Sequence, residues 1–394
     1  MKKRISTLIF ACTAVLATGF AQVDFYKTNK KDSKYRFTPE KNISCTDIKN
    51  QGSTGTCWSF SMQSFLESEI IRNGNKPVDL AEMWSARNAY FEKAVKYVRM
   101  QGKTNFGQGG EPHDVIAMGK KYGVVPQSVY SGLSEGQKKY DHTEMENVLI
   151  AFCNAIIKTA TEQHKPLSKN WTAALDGILD AYFGPKVKEF EVAGKKYTPI
   201  TYAQSLGLNF DDYVEISSFT HHPYYSQFVI EIPDNWADYP VYNVPLGDLE
   251  SIADNAIANN YSIEWASDVS EKYFSFKNGL AILPEKKLED MASAEKDSMF
   301  IVPVKQLAAV TPEMRQDAFD DQTTQDDHGM HIVGSAKDQN GVKYYLVKNS
   351  WGTEGNEMGG YFYCSKPYFL FKTTGIMVNK KAIPQAIAKK MGII

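Results

Sequence analysis

Apolar residues recur at spacings near three and four from Cys57 onward, at Trp58, Phe60, Met62, Phe65, Leu66 and Ile70, before the chain meets Asn73-Gly74. That period is one face of an α-helix and Asn-Gly is a stop, so an amphipathic helix with Cys57 in its first turn is predicted. The same reading predicts a helix over 79–99 with Asp79 as its N-cap, and one from Pro112 to Lys121 ended by Gly123. Further helices are predicted over 144–161 and 171–182.

Beyond residue 190 the period changes from helical to alternating. "FEVAGKKYT" reads as a hairpin turning at Ala193-Gly194, and "YSIEWASD" and "YYLVKNSW" read as strands. "NVPLGDLESIADNAIANN" is a helix between strands. "HGMHIVGSAKDQNGVKYYLVKNSWG" holds a strand, a turn at Gln339-Asn340-Gly341 and a return strand. A helix-rich half followed by a sheet-rich half predicts an α+β fold with a cleft between two subdomains. No internal repeat or low-complexity tract interrupts it.

Residues 22–50 are polar and predict an extended N-terminal arm rather than a packed element. Before them, "MKKRISTLIFACTAVLATGFAQ" sets Lys2, Lys3 and Arg4 ahead of a short apolar stretch ending in small residues, the pattern of a secretory signal cleaved after Ala21. "LIFAC" also loosely matches a lipoprotein box at Cys12, the second route to export. The apolar stretch is shorter than a membrane span and no later run reaches that length, so a soluble, exported mature chain over 22–394 is expected, without stable membrane insertion.

Composition narrows the function classes. The 394 residues are 43% hydrophobic and 23% charged with a formal net charge of −2. That is ordinary for a globular protein, and it supplies no field to draw nucleic acid. Cys45, Cys57, Cys153 and Cys364 are too sparse for a disulfide scaffold, and no Cys-x-x-Cys pair suggests zinc. Cys57 is expected to be free.

A reactive cysteine needs its thiolate favoured by a helix N-terminus and an imidazole. Of the seven histidines, His328 lies at the mouth of a predicted strand and is followed by Gly329, which leaves room for approach. Its ring needs an orienting group, and Asn349 on the paired strand fits, with Trp351 placed to shield the bond. His331, three residues along, should point to the opposite face. Gln51, six residues before Cys57, can join the Cys57 N–H in holding an oxyanion.

These residues resemble the papain-like cysteine peptidases: "QGSTGTCWSF" is similar to their Gln and Gly-x-Cys-Trp-x-Phe signature, and "KNSWG" to their Asn-Ser-Trp-Gly. His328 follows Cys57 by 271 residues. That wide separation, with "GGEPHDVIAMGKKYGVVPQSVY" and the closing "MVNKKAIP", resembles the bleomycin hydrolase and aminopeptidase C branch. The resemblance implies a papain-like two-subdomain fold with a helical insertion at about 131–230. It also implies Cys57 as nucleophile, His328 as general base then acid, Asn349 as orienter and Gln51 as oxyanion donor, with peptide substrates, a thioester intermediate and no metal or organic cofactor.

In that branch the tail's terminal carboxylate captures the substrate's amine, which points to Ile394 here, although the tail lacks the branch's usual ending. Gly109 and Gly110 are expected to form a ledge for the substrate backbone, since absent side chains let a peptide lie close. His113 is expected at the surface of a first helical turn. The branch also tends to form homo-hexamers and is mostly cytosolic, from which the signal departs. Two other readings use the same parts: a Cys-His acyltransferase or deamidase, and an inactive exported binding protein on the peptidase frame.

Overall fold

Alternation in the second half of the chain builds one large mixed sheet, against which the first half lays its helices. The computed structural model describes residues 30–134 and 136–393. The expected signal therefore lies outside the described residues, as does Ile394.

The chain enters through β1 (Phe37–Asn42) and forms the helices α1 (Cys57–Arg72), α2 (Glu82–Arg99), α3 (Pro112–Tyr122), α4 (Thr143–Gln163) and α5 (Asn170–Phe183). The hairpin β2 (Phe190–Val192) and β3 (Lys195–Tyr197) follows, turning where Ala193 and Gly194 take φ of 50° and 79°. Two positive φ values in succession match the twist of antiparallel strands. Then come α6 (Pro199–Ser205), β4 (Tyr213–Ser217), β5 (Gln227–Val229), β6 (Pro240–Asn243), α7 (Leu246–Ala258), β7 (Ile263–Ser267), β8 (Phe274–Ser275) and β9 (Leu280–Ala281). The chain closes with α8 (Ser293–Ser298), α9 (Pro312–Asp320), β10 (His328–Asp338), β11 (Lys343–Lys348), β12 (Tyr361–Ser365), α10 (Lys366–Lys372), β13 (Thr373–Asn379) and α11 (Gln385–Lys390).

In the sheet the strand order is β5-β6-β4-β13-β7-β10-β11-β12-β9-β8, with β1 pairing with β10. β10 is central, and its alternation sorts its side chains by face. Met330 and Ile332 enter a core with α7, α10 and α11, while His331 faces Phe65 of α1, their rings 6.2 Å apart. On the other side α1 to α5 share a separate core around Phe65, Leu66, Tyr90, Leu149 and Leu179. Helices on both faces of a largely antiparallel sheet, with α1 to α5 gathered on one of them, make the α+β fold expected.

Three local expectations are corrected. The helix at Cys57 is not amphipathic: Ser59, Ser61, Gln63, Ser64, Glu67 and Ser68 are as buried as its apolar residues, because α1 runs between α2 and the sheet. Each polar position finds an internal partner, as when Ser59 Oγ donates to Glu82 O and Ser61 Oγ to a Glu264 carboxylate oxygen. Asp79 does not cap α2, which begins after Ala81; Leu80 bridges to Pro126 and Asp79 pairs with Lys49 instead. The N-terminal arm is extended but packed, since β1 adds to β10 and buries Phe37 on Tyr363 with ring centroids 3.8 Å apart.

Candidate active site

Two loops meet at the head of α1. Gln51 N–H donates to Ser350 O at 2.8 Å and Asn50 bridges to Trp351, so the segment before Cys57 is stitched to the segment after β11. Cys57 opens the helix and receives the backbone N–H groups of Gly329 and Trp58 at its sulfur. His328 opens β10 one residue before Gly329. A Cβ on residue 329 would lie 2.8 Å from Ser61 Oγ and 3.2 Å from Trp58 Cα, so glycine lets α1 lie this close to the strand.

His328 and Asn349 are joined by a 2.7 Å bond between Nε2 and Oδ1. Asn349 Oδ1 also accepts from Ser350 N–H at 2.7 Å, which identifies it as the amide oxygen. His328 therefore donates through Nε2 and keeps its Nδ1 lone pair free. The Trp351 ring covers the imidazole at 4.6 Å between centroids. His331 lies on the other face of the strand, with Nδ1 2.9 Å from Ser64 Oγ.

Cys57 and His328 line one cleft of about 170 Å³ with Trp58, Gly109, Gly110, Glu111, Asp234, Glu264, Asp326 and Gly329. Burial in it, aided by the charges of Asp326 and Asp234, pushes the Cys57 thiol up to about 12, against the pull of the Gly329 N–H. Burial likewise holds His328 down to about 4, though its bond to Asn349 opposes this. Burial thus favours the neutral form of both the thiol and the imidazole.

Gln51 does not line this cleft. Its Nε2 donates to Thr54 O at 2.7 Å and its Oε1 accepts from Ser350 Oγ at 2.6 Å, which fixes the amide beside the start of α1. Gly109 and Gly110 do line it, but the space left by their missing side chains is already occupied. A Cβ on Gly109 would run into the Asp234 carboxylate, and one on Gly110 would lie 2.7 Å from Asp114 Oδ2 and 3.0 Å from the Trp58 ring. Of the described tail, Ile393 packs against the core that holds α7 and Lys390 bonds Tyr225, and no described tail residue is among those lining the cleft.

His113 is corrected from a surface position. It is 5% exposed, with Nδ1 2.6 Å from Glu215 Oε2 and its ring stacked on Tyr239. Glu215 raises its pKa against the opposing effect of burial.

The carboxylates of the cleft are not marked by any motif in the sequence. Glu111, Asp234, Glu264, Asp326 and Asp327 come from four separate segments with no shared spacing; only Glu111 beside Gly109-Gly110 and Asp326-Asp327 beside His328 carried a local sign. For a metal, the donor set among the described residues is elsewhere: His221, His222 and Glu231 bring ligand atoms within 4.8 Å of one another at the surface.

A helix-borne cysteine and an Asn-braced strand histidine across one cleft define the class of cysteine-type peptidases. The chain belongs to the Peptidase C1-like family, whose profile matches residues 6–392. It is 22% identical over 380 residues to aminopeptidase G of Lactobacillus delbrueckii subsp. lactis, covering 85% of this chain and 81% of that protein. It is 20% identical over 417 residues to aminopeptidase C of Listeria monocytogenes, covering 96% of this chain and 90% of the relative. Among solved structures it is similar to PepW of Lactobacillus rhamnosis HN001, with a TM-score of 0.68 at 18% identity over 90% of this chain and 85% of that one. The fold is papain-like. No helix among the described residues is long and apolar enough to cross a membrane.

Proposed function

We propose that the protein is an aminopeptidase that cleaves peptide bonds through a thioester. The observation that carries this reading is the 2.7 Å bond from His328 to Asn349 at the same cleft wall as Cys57. As the substrate carbonyl arrives, His328 Nδ1 takes the thiol proton and Cys57 Sγ attacks the carbon. The oxyanion is held by the Cys57 N–H and by the second amide hydrogen of Gln51, whose first is spent on Thr54 O. His328 returns its proton to the leaving amine. It then draws a proton from water, whose oxygen attacks the thioester and frees the acid.

The backbones of Gly109 and Gly110 are the surface along which the peptide lies, which their place in the cleft wall supports. We further assign the chain to export, supported by the basic, apolar and small-residue succession of its first 21 residues. Assembly into a hexameric ring rests on the branch resemblance.

The test pairs a peptide bearing a free N-terminus with the same peptide acetylated there. Hydrolysis of the free form only supports aminopeptidase action, and equal hydrolysis defeats it. Cys57→Ala and His328→Ala should each lower kcat by roughly 10³-fold or more. Release of the acyl group onto an added amine in preference to water would instead favour acyl transfer.

A further inference from the structure

The cleft beside Cys57 holds more negative charge than the mechanism uses. Asp327 accepts from the N–H groups of Val269 and Ser270 at 2.9 and 3.0 Å. Asp234 accepts from Asn105 Nδ2 at 3.1 Å and lies near Lys93, which is itself held by the carbonyls of Gly107 and Gly109. Those carboxylates have partners.

Three others do not have enough. Glu111 is 2% exposed and its Oε1 has no hydrogen-bond donor, while Glu264 is 0% exposed and its Oε2 has none, although Ser61 serves Oε1 at 2.7 Å. Asp326 has Thr374 Oγ1 at 3.0 Å and otherwise faces Glu111. All three line the same cleft as the nucleophile. A buried carboxylate oxygen without a donor costs free energy that a bound cation would return. Burial and mutual repulsion raise the pKa of all three, Asp326 to about 6.

We propose that Glu111, Asp326 and Glu264 form a subsite for an ammonium group of the peptide substrate, placed next to the bond that Cys57 attacks. An ammonium offers three donors on a compact charge, which suits carboxylate oxygens brought to one cleft from the residue before α3, from β7 and from the segment before β10. The inference rests on the peptidase reading above and supplies its recognition element. The ammonium has two sources: the free α-amine of the residue being released, or a lysine side chain one residue upstream.

The full chain, with Glu111→Gln and Asp326→Asn variants, is assayed on aminoacyl coumarylamides in two pairs. One compares a free α-amine with its N-acetyl form. The other compares N-acetyl dipeptidyl substrates carrying lysine or norleucine at the upstream position. Wild type should show a higher kcat/KM for the cationic member of one pair, and that ratio should fall about tenfold or more in each variant that circular dichroism shows to be folded. A ratio confined to the first pair assigns the α-amine, and one confined to the second assigns the side chain. A preference unchanged in both variants overturns the subsite alone, whereas absence of any charge preference in wild type overturns the subsite and aminopeptidase action together while leaving cleavage through Cys57 standing. Failure of wild type to cleave every substrate overturns both.

Discussion

Gly329 does two things at once. It presents its N–H to the Cys57 sulfur, and its missing side chain admits α1 to van der Waals distance of β10. A methyl there meets Ser61 Oγ at 2.8 Å, so Gly329→Ala should cost about 1–3 kcal/mol by overpacking, and adding Ser61→Ala should recover part of it in urea unfolding. Asn349 acts through the orientation of His328. On the proposed mechanism Asn349→Ala should lower kcat roughly 10- to 100-fold with KM little changed, whereas a structural role alone would move the unfolding midpoint and leave kcat per folded molecule as it was. At this scale the meeting of Cys57 with His328 at one cleft and of His328 with Asn349 was legible, since each lies in a short motif or at a predicted element end, whereas the Gln51 amide turns to Thr54 and Ser350 outside the cleft wall. Glu111, Glu264 and Asp326 were not, because a carboxylate on a strand end looks the same whether it meets water or another carboxylate.

Helices with a regular apolar period and a Gly or Asn stop were legible as elements, as was the hairpin at Ala193-Gly194. The exceptions share a cause. The polar face of α1 suggested solvent, yet α2 and the sheet cover it, and its serines and glutamates are satisfied from neighbouring elements. The polar residues around β1 suggested an unpacked arm, yet Tyr35 and Phe37 are enough to anchor it. Phe37 is 2% exposed between Tyr363 and Tyr344, so Phe37→Ala should cost about 3–5 kcal/mol and loosen β1 from β10. Hydrogen exchange along 37–42 that stays as slow as in wild type would contradict this.

For the molecule as a whole, buried histidines set an acid limit. His142 is 5% exposed, in contact with Tyr90, and burial lowers its pKa to about 4. A group whose pKa is lowered by folding excludes a proton that the unfolded chain takes up. Its contribution is complete above about pH 6.5 and is lost as the pH falls toward 4. Glu111 and Asp326 run the other way: their raised pKa values favour the fold in acid, and for Asp326 this advantage is lost as the pH rises through about 6. The two effects are separated by comparing wild type with His142→Gln. The stability advantage of wild type should shrink by about 2 kcal/mol between pH 7.5 and pH 5, and an unchanged gap would show that His142 is not the group responsible.

The order of chemistry along the chain, a cysteine at a helix start and later a histidine and an asparagine on paired strands, was determined by sequence, because local period and turn residues fix which end of an element a side chain occupies. Only the tertiary structure decided what surrounds them. The carboxylates that crowd the cleft, the glycines filled by Asp234 and Trp58, and the burial that keeps thiol and imidazole neutral all arise where distant segments close on one another. Charge and dielectric at a site are sums over such neighbours, and no stretch of sequence contains that sum.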